Sequence, residues 1–276
     1  LEGRDSIGGT WDLFKYPGIR SDSDMYTLGF SFRPWRDPKA IADGPSIMSY
    51  LHGAVEDDGL HDKIRFGRKV VKARWSSQEA QWELTVLNTQ NKQEERLTCG
   101  FVHMCTGYYN YEQGHRPAFP GEKNFKGPVI HPQFWPEDLD YENKKIVVIG
   151  SGATAVTLVP AMAEKAAKVT MLQRSPTYIV SMPAENALAN WARRNLPAKL
   201  AYGLTRWRNV LLNRLMFWYC RRFPEQAKKL LLKGVRAQLP PGFDIEKHLT
   251  PHYNVWDQRV CLAPDGDFFT ALRAGK

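Results

Sequence analysis

The sequence predicts an α/β fold built on a parallel sheet, and three neighbouring features predict it. Residues 146–149 are a β-branched Ile-Val-Val-Ile run, long enough for one strand buried on both faces of such a sheet. A Gly-Ser-Gly-Ala-Thr-Ala segment follows at 150–155, and a helical pattern of apolar residues begins at Ala155. A strand, a G-x-G-x-x-A turn and a helix in this order are typical of a Rossmann-like, dinucleotide-binding domain.

The residue types of this turn suit a pyrophosphate group. The first glycine permits the tight turn, the second lets phosphates approach the backbone, and the small third residue lets the helix pack closely on the strand. The helix N-terminus adds N–H groups and a positive dipole. An ordinary tight turn would also match the motif, but the flanking strand and helix favour cofactor binding. The candidate binding residues are Gly150, Ser151, Gly152, Ala153, Thr154 and Ala155.

The end of the next strand indicates which dinucleotide is bound. Residues 168–173 form this strand, and Arg174 and Ser175 follow it, about 20 residues after the glycines. An acidic residue there would favour NAD through the ribose hydroxyls, whereas an arginine suits the 2′-phosphate of NADP. The sequence therefore predicts NADP(H) binding through Arg174 and Ser175.

The remaining elements follow from the periodicity of apolar residues. We expect a helix over 43–59, short strands at 64–66, 70–75 and 82–87, a polar turn at 88–95 and a buried strand at 101–105. Residues 183–239 are predicted to form two or three helices, and the segment after Cys261 enters another. The part from Val210 to Arg222 is basic and aromatic, so it either packs on its own domain or lies on a membrane interface.

Composition narrows the class of protein. The chain has 276 residues, of which 43% are hydrophobic, and a formal net charge of +9, which is typical of a folded chain. Much of the basic excess lies between Arg193 and Arg236, so a solvated basic face is favoured over a nucleic-acid surface. The four cysteines have no C-x-x-C spacing, so we expect neither a metal site nor a redox dithiol. We expect a cytoplasmic protein, with membrane association as the alternative.

Two further motifs carry a resemblance to a known family. One is Phe125-x-Gly127-x-x-x-His131-x-x-x-Trp135-Pro136, and the other is Gly9-x-Trp11-x-x-x-x-Tyr16-Pro17-Gly18-x-x-x-Asp22. With these motifs the chain resembles the Baeyer–Villiger monooxygenases, which are grouped with the flavin-containing monooxygenases. It is most similar to their short, ethionamide-activating kind.

The resemblance implies a fold of two dinucleotide-binding (Rossmann-like) domains, three-layer, with a helical insertion. Residues 1–120 would form part of the FAD-binding domain, and residues 121–143 a linker that carries the first motif. Residues 144–276 would form part of the NADP-binding domain, with the insertion at 183–239. Both domains are expected to be incomplete, because the family's first glycine-rich turn for FAD and its C-terminal part find no counterpart. The chain would then be an internal fragment.

The resemblance also implies roles for individual residues. Glu2 would bond the adenosine ribose of FAD, and Asp22 and Arg259 would be catalytic, with Asp22 orienting Arg259. Purely structural roles remain as alternatives: Trp11 would pack in the core, and Asp22 would cap a turn. His131 is interpreted as a hinge residue and not as a base. The other residues implied to bind FAD or NADP are Gly9, Thr10, Trp11, Asp12, Leu13, Arg20, Ser21, Asp22 and Val70.

The function that the resemblance implies is that of an FAD- and NADPH-dependent monooxygenase. NADPH reduces FAD, dioxygen adds at the flavin C4a to give a peroxyflavin, and one oxygen atom enters a ketone, thioether, thioamide or amine. Two alternatives remain. The chain by itself would be a non-catalytic NADP-binding module, or the protein would be a pyridine-nucleotide disulfide reductase, which needs a close cysteine pair that Cys99 and Cys105 do not provide.

Overall fold

The computed structural model describes residues Leu1–Lys276. The helices are α1 (Thr10–Leu13), α2 (Met25–Leu28), α3 (Gly44–Asp57), α4 (Ala153–Ala163), α5 (Ala187–Asn195), α6 (Ala198–Arg222), α7 (Pro224–Arg236), α8 (Ile245–Leu249) and α9 (Asp267–Arg273). The strands are β1 (Arg68–Ser76), β2 (Gln81–Asn88), β3 (Glu94–Cys99), β4 (Lys145–Ile149), β5 (Lys168–Leu172), β6 (Tyr178–Met182) and β7 (Val260–Pro264). None of the helices combines the length and the apolar character that crossing a lipid bilayer requires.

The chain forms two compact units. The first unit contains residues 1–15 and 45–135, and the second contains residues 16–44 and 136–276. Residues 16–44 belong with the second unit because their backbone contacts it closely. A Cβ atom on Gly18 would lie 2.7 Å from the Cβ of Ala161 on α4, and the Ala40 N–H donates to the carbonyl oxygen of Ala184 over 2.8 Å.

The first unit is built around an antiparallel sheet in the order β1-β2-β3. The predicted helix at 43–59 and the strands at 70–75 and 82–87 are confirmed as α3, β1 and β2. The polar turn predicted over 88–95 is too long, because β3 already begins at Glu94. The charged run Glu94-Glu95-Arg96 hid this strand, whose side chains alternate between exposed and half-buried positions.

Two predicted strands of the first unit are wrong. Residues 101–105 form no strand, and the Phe101 and Met104 side chains are exposed, because no strand of the chain pairs with this segment. Residues 64–66 are irregular as well: a short 3₁₀ helix ends at Lys63, and only isolated backbone bonds follow, such as the Glu2 N–H donating to the Arg65 carbonyl.

The second unit contains the predicted strand–turn–helix unit. Strands β4 and β5 pair in parallel, with Ile146 opposite Val169, and α4 connects them and packs against them. The prediction that strand β4 is buried on both faces is wrong, since Val147 and Ile149 are exposed. The sheet has only these two strands and α4 lies on one face, which leaves the alternate side chains uncovered.

Strands β6 and β7 form a second parallel pair, and the helical insertion lies between them in the sequence. The helices predicted over 183–239 are confirmed as α5, α6 and α7, and the helix after Cys261 as α9, whereas β6 was not predicted. A small core of Tyr178, Cys220, Ala227 and Val255 ties the insertion to the strands. The Tyr178 hydroxyl donates to the Tyr253 carbonyl over 2.6 Å, and burial raises the pKa of Tyr178 to about 12.

Candidate functional site

The turn that follows β4 is tied to the neighbouring strand by two hydrogen bonds. The Gly150 N–H donates to the Leu172 carbonyl over 2.8 Å, and the Ser151 hydroxyl donates to the Ser175 carbonyl over 2.9 Å. Gly150 has φ +130°, a conformation that side chains other than hydrogen rarely tolerate. The turn is therefore fixed to the ends of both strands of the parallel pair.

The N-terminus of α4 opens at this turn. Gly152 is its N-cap residue, and no side chain caps it. The first N–H groups of the helix, those of Ala153, Thr154 and Ala155, therefore remain as donors with the positive end of the helix dipole behind them. This arrangement suits an anionic group such as a pyrophosphate.

Two arginines adjoin the turn. The Nη1 atom of Arg259, from the loop before β7, lies 2.6 Å from the point that a Cβ atom on Gly152 would occupy. Arg174 follows the end of β5, next to the Ser175 carbonyl that accepts from Ser151. Both arginines are exposed and neither forms an ion pair. The Arg259 guanidinium therefore places a positive charge against the turn, and Arg174 adds a second unpaired cation at the end of the neighbouring strand.

The loop of residues 20–22 uses most of its polar groups internally. The Arg20 guanidinium pairs with the Asp267 carboxylate, with Nη2 to Oδ1 at 3.4 Å, at the start of α9. Ser21 is buried: its hydroxyl donates to the Ser23 carbonyl over 2.6 Å, and its N–H donates to the Ala42 carbonyl over 2.8 Å. The structure therefore gives Arg20 and Ser21 partners within the protein.

Asp22 is exposed, in contrast to Ser21. Its carboxylate accepts a long hydrogen bond of 3.3 Å from the Ser23 hydroxyl, and no ion pair joins it to Arg259. Both charges nevertheless act on one buried thiol. Burial raises the pKa of Cys261, the Thr177 hydrogen bond and the positive charge of Arg259 oppose this, and the negative charge of Asp22 adds to it. Asp22 and Arg259 thus belong to one electrostatic neighbourhood.

The residues predicted to bind FAD lie in the first unit, and Arg4 forms hydrogen bonds to three of them, Glu2, Gly9 and Asp12. Arg4 donates from Nη1 to the Gly9 carbonyl over 2.9 Å and from Nη2 to the Asp12 carboxylate over 2.6 Å. Its own N–H donates to Glu2 Oε1 over 2.8 Å, and the Ser6 hydroxyl donates to Asp12 over 2.5 Å. Burial would raise the pKa of Asp12, but the Ser6 bond and the Arg4 charge outweigh it and lower this pKa. No sequence motif identified Arg4 as part of this site, although its positive charge complements the negative charge of Asp12.

The rest of this set surrounds α1. The Thr10 hydroxyl lies 3.0 Å from that of Tyr111, a contact no sequence pattern signals. Gly9 has φ +51°, which favours glycine there. Trp11 and Leu13 are half-buried on α1, and Val70 lies exposed on β1 beside a register shift.

The first compact unit ends within the first motif, at Trp135, one residue before the last residue of the motif, Pro136. His131 caps a 3₁₀ helix over Pro132–Phe134, with its Nδ1 accepting from the Gln133 N–H over 3.2 Å. A Cβ atom on Gly114 would lie 2.5 Å from that nitrogen, so the ring is tightly packed. His131 therefore has a structural contact set in this chain.

A parallel strand pair joined through a glycine-rich turn and an uncapped helix defines a Rossmann-type dinucleotide-binding fold. The family model described as flavin-binding monooxygenase-like matches residues 34–195, more than half of the chain. The chain belongs to this family, and the resemblance drawn from its two motifs is confirmed. It is 55% identical over 277 aligned positions to the FAD-containing monooxygenase EthA of Mycobacterium tuberculosis, covering 100% of this chain and 56% of that protein. The chain thus spans little more than half the length of such relatives.

Solved structures confirm the predicted α/β class with Rossmann-like domains. The oxidized steroid monooxygenase bound to NADP has a TM-score of 0.74 at 22% identity, covering 99% of this chain and 58% of that one. The OTEMO complex with FAD and NADP has a TM-score of 0.70 at 21% identity, covering 98% and 58%. Likeness at this identity concerns the fold.

Proposed function

We propose that this chain forms part of an FAD- and NADPH-dependent monooxygenase that transfers one oxygen atom from O2 to a small organic substrate. The observation that carries the proposal is the glycine-rich turn after β4, flanked by the two unpaired arginines, in a member of the flavin-binding monooxygenase-like family. The relative EthA, an FAD-containing monooxygenase, and the similar OTEMO and steroid monooxygenase structures, both bound to NADP, support both cofactors.

The residues around the turn suit NADP(H). The pyrophosphate would lie against Gly150–Ala155, where the backbone at Gly152 carries no Cβ to obstruct it. The Arg174 guanidinium, which has no acidic partner, would bind the 2′-phosphate, with Ser175 beside it. A carboxylate at this position, which would prefer a ribose hydroxyl, is absent. We therefore assign 144–276 as the NADP-binding part, with the insertion at 183–239.

The residues at the start of the chain suit FAD. Glu2 uses Oε1 for the Arg4 N–H, which leaves Oε2 for a ribose hydroxyl. Gly9 and the residues of α1, from Thr10 to Leu13, would contact the flavin nucleotide, and Val70 would contact the adenine through its backbone. Residues 1–120 would then be the FAD-binding part, and 121–143 the linker.

When bound, NADPH and FAD would supply the reducing electrons and the activation of dioxygen. The chain's own contribution is charge and position. A guanidinium keeps its proton at working pH, so Arg259 would stabilise negative charge that develops on a substrate carbonyl oxygen. Asp22 would orient Arg259, and Arg20 and Ser21 would fix the loop that carries Asp22 through Asp267 and Ala42. The substrate class would be ketones, or thioethers, thioamides and amines.

The first experiment is an absorbance spectrum of the purified chain near the flavin maximum, followed by NADPH addition in air. We expect a bound flavin that bleaches and then recovers as oxygen is consumed. Saturable NADPH binding without flavin would contradict catalysis by this chain and support the NADP-binding module. A flavin that reduces a disulfide substrate, with no oxygen uptake, would favour the reductase class.

Arg259→Ala separates the two half-reactions in a protein that retains flavin. We expect bleaching by NADPH to persist while oxygenated product is lost, because the developing oxyanion has no cation to stabilise it. Arg259→Lys is the matched control and should keep part of the activity. Undiminished product formation in Arg259→Ala would remove this residue from the mechanism.

A further inference from the structure

Helix α6 carries a continuous stripe of exposed apolar side chains. They follow one another at steps of three and four residues, which places them within about a quarter of the helix circumference. Each is between 45% and 65% exposed, far more than a core position allows. The stripe consists of Leu200, Leu204, Trp207, Leu211, Leu215 and Trp218.

The opposite face of α6 attaches the helix to its own unit. Ala201, Thr205, Asn209 and Cys220 are buried there. The Asn209 amide donates to the Asp24 carboxylate over 2.9 Å, and Arg206 donates to the Thr27 carbonyl over 2.6 Å. Over residues 198–209 the helix therefore has a defined inner face, and the stripe points away from it. From 211 to 218 the other faces are exposed as well, including Leu212, Met216 and Phe217.

The charge of α6 is of one sign. The segment Ala198–Arg222 contains six basic residues and no acidic one. Arg214 and Arg222 are exposed beside or within the stripe and form no ion pair, whereas Arg221 pairs with Asp257 at 2.5 Å. An apolar stripe with cationic borders complements a surface that is apolar inside and anionic outside.

We propose that α6 docks this protein on an anionic lipid bilayer, lying in the interface with the stripe inserted. Tryptophan and leucine on one face and arginine at its borders are the composition of helices that lie in this region. Tryptophan prefers the headgroup level, and arginine side chains reach back to the phosphates. Six cations on one helix exclude a spanning orientation, so the helix lies flat on the surface. The docking is independent of the cofactor sites and of the proposed reaction.

The test is cosedimentation of the chain with vesicles of phosphatidylcholine alone or mixed with phosphatidylglycerol. We expect binding to the mixed vesicles, at least tenfold stronger than to the neutral ones, and weaker in about 0.5 M than in about 0.1 M NaCl. The triple variant Trp207→Gln/Leu211→Gln/Trp218→Gln should lose at least tenfold in affinity. Glutamine keeps helix propensity, so the fold is expected to survive.

The matched control is Trp191→Gln/Leu230→Gln, which removes two exposed apolar side chains from α5 and α7 and should bind vesicles as the parent does. Arg214→Gln/Arg222→Gln should reduce the preference for phosphatidylglycerol, because it removes two of the six cations of α6. Circular dichroism and NADPH affinity check the fold of each variant. Equal vesicle binding by parent and triple variant overturns the proposal. So does a parent that binds no vesicle but forms a dimer that the triple variant dissociates, since a second copy then covers the stripe.

Discussion

The two candidate cofactor segments are held in place by different means. The turn at 150–155 is fixed by secondary structure, with β4 before it, α4 after it and backbone bonds to the end of β5. The segment of residues 2–13 has only the short helix α1, and the side chain of Arg4 joins its parts.

This difference predicts different weak points. A turn fixed by secondary structure tolerates the loss of any one side chain but not a change in its backbone conformation. A segment fixed by one arginine tolerates small backbone changes but not the loss of that arginine, because the charge-assisted hydrogen bonds that join its parts would be lost with it. The two segments can therefore be perturbed separately.

Gly150→Ala should have the largest effect. At φ +130° a Cβ atom strains the backbone by about 1–3 kcal/mol, although no atom lies within 4 Å to clash with it. Relief of the strain would rotate the turn away from the phosphates, so NADPH affinity should fall about 100-fold. Fluorescence titration of the bound nicotinamide measures this.

Gly203→Ala is the control for that substitution. Gly203 lies within α6, and a Cβ atom there also meets nothing within 4 Å. Alanine in a helix interior should stabilise the fold by about 0.5–1 kcal/mol and leave NADPH affinity unchanged. If both glycine variants lost affinity equally, the turn would have no special role.

Arg174→Ala should have the next largest effect, and only with one cofactor. Loss of a charge-assisted bond to the 2′-phosphate should weaken NADPH binding by about 10- to 100-fold, that is about 1.5–3 kcal/mol. NADH lacks that phosphate, so its affinity should change little. Titration of both cofactors gives the ratio, and an equal loss for both would contradict the 2′-phosphate assignment.

Arg4→Ala tests the other segment. It removes the charge-assisted bonds to the Gly9 carbonyl and the Asp12 carboxylate, which then keep only the Leu13 N–H and the Ser6 hydroxyl as donors. The free energy of unfolding should therefore fall by about 1–3 kcal/mol. NADPH affinity should stay at the parent value. Urea unfolding and NADPH titration measure the two quantities. A variant that loses NADPH affinity without losing stability would contradict the separation of the two segments.

Asp12→Asn should have the smallest effect and should depend on pH. The pKa of Asp12 is lowered on folding, so its contribution is complete above the unfolded pKa of about 3.9 and disappears as the pH falls through the folded value. We expect Asp12→Asn to unfold about 1 kcal/mol more easily than the parent at neutral pH, with the gap closing below about pH 4. Urea titrations across pH measure the gap. A gap that stays constant down to acid pH would exclude the charge as its cause.

The parts that sequence predicted best are those with local signals. The run at 146–149, the glycines and the following apolar period identified β4, the turn and α4, since each depends on neighbours in sequence. Burial of Val147 could not be predicted in the same way, because it depends on how many strands and helices join the sheet. The same reason explains Phe101: its apolar run lacks a pairing strand.

The candidate site could likewise be predicted only where its signals are local in the sequence. Motif spacing gave Gly150, Gly152 and Arg174 as candidates. It could not show that Arg259, more than 100 residues after Gly152, approaches that glycine, nor that Asp267 engages Arg20, because both contacts depend on where β7 and α9 return to α4. The cofactor roles of all these residues remain predictions.

The loop that contains Gly18 packs directly on α4. A Cβ atom on this glycine would lie 2.7 Å from the Ala161 Cβ and 3.0 Å from the Thr157 carbonyl, so the loop that leads to Asp22 rests directly on the helix. The same helix begins at the turn of residues 150–155. Because close-packed contacts transmit displacement, we expect a shift of α4 to move both the turn at 150–155, which lies at its start, and the Asp22 loop, which packs on its side. We therefore expect a larger side chain at 161 to shift the Asp22 carboxylate without contacting the turn at 150–155.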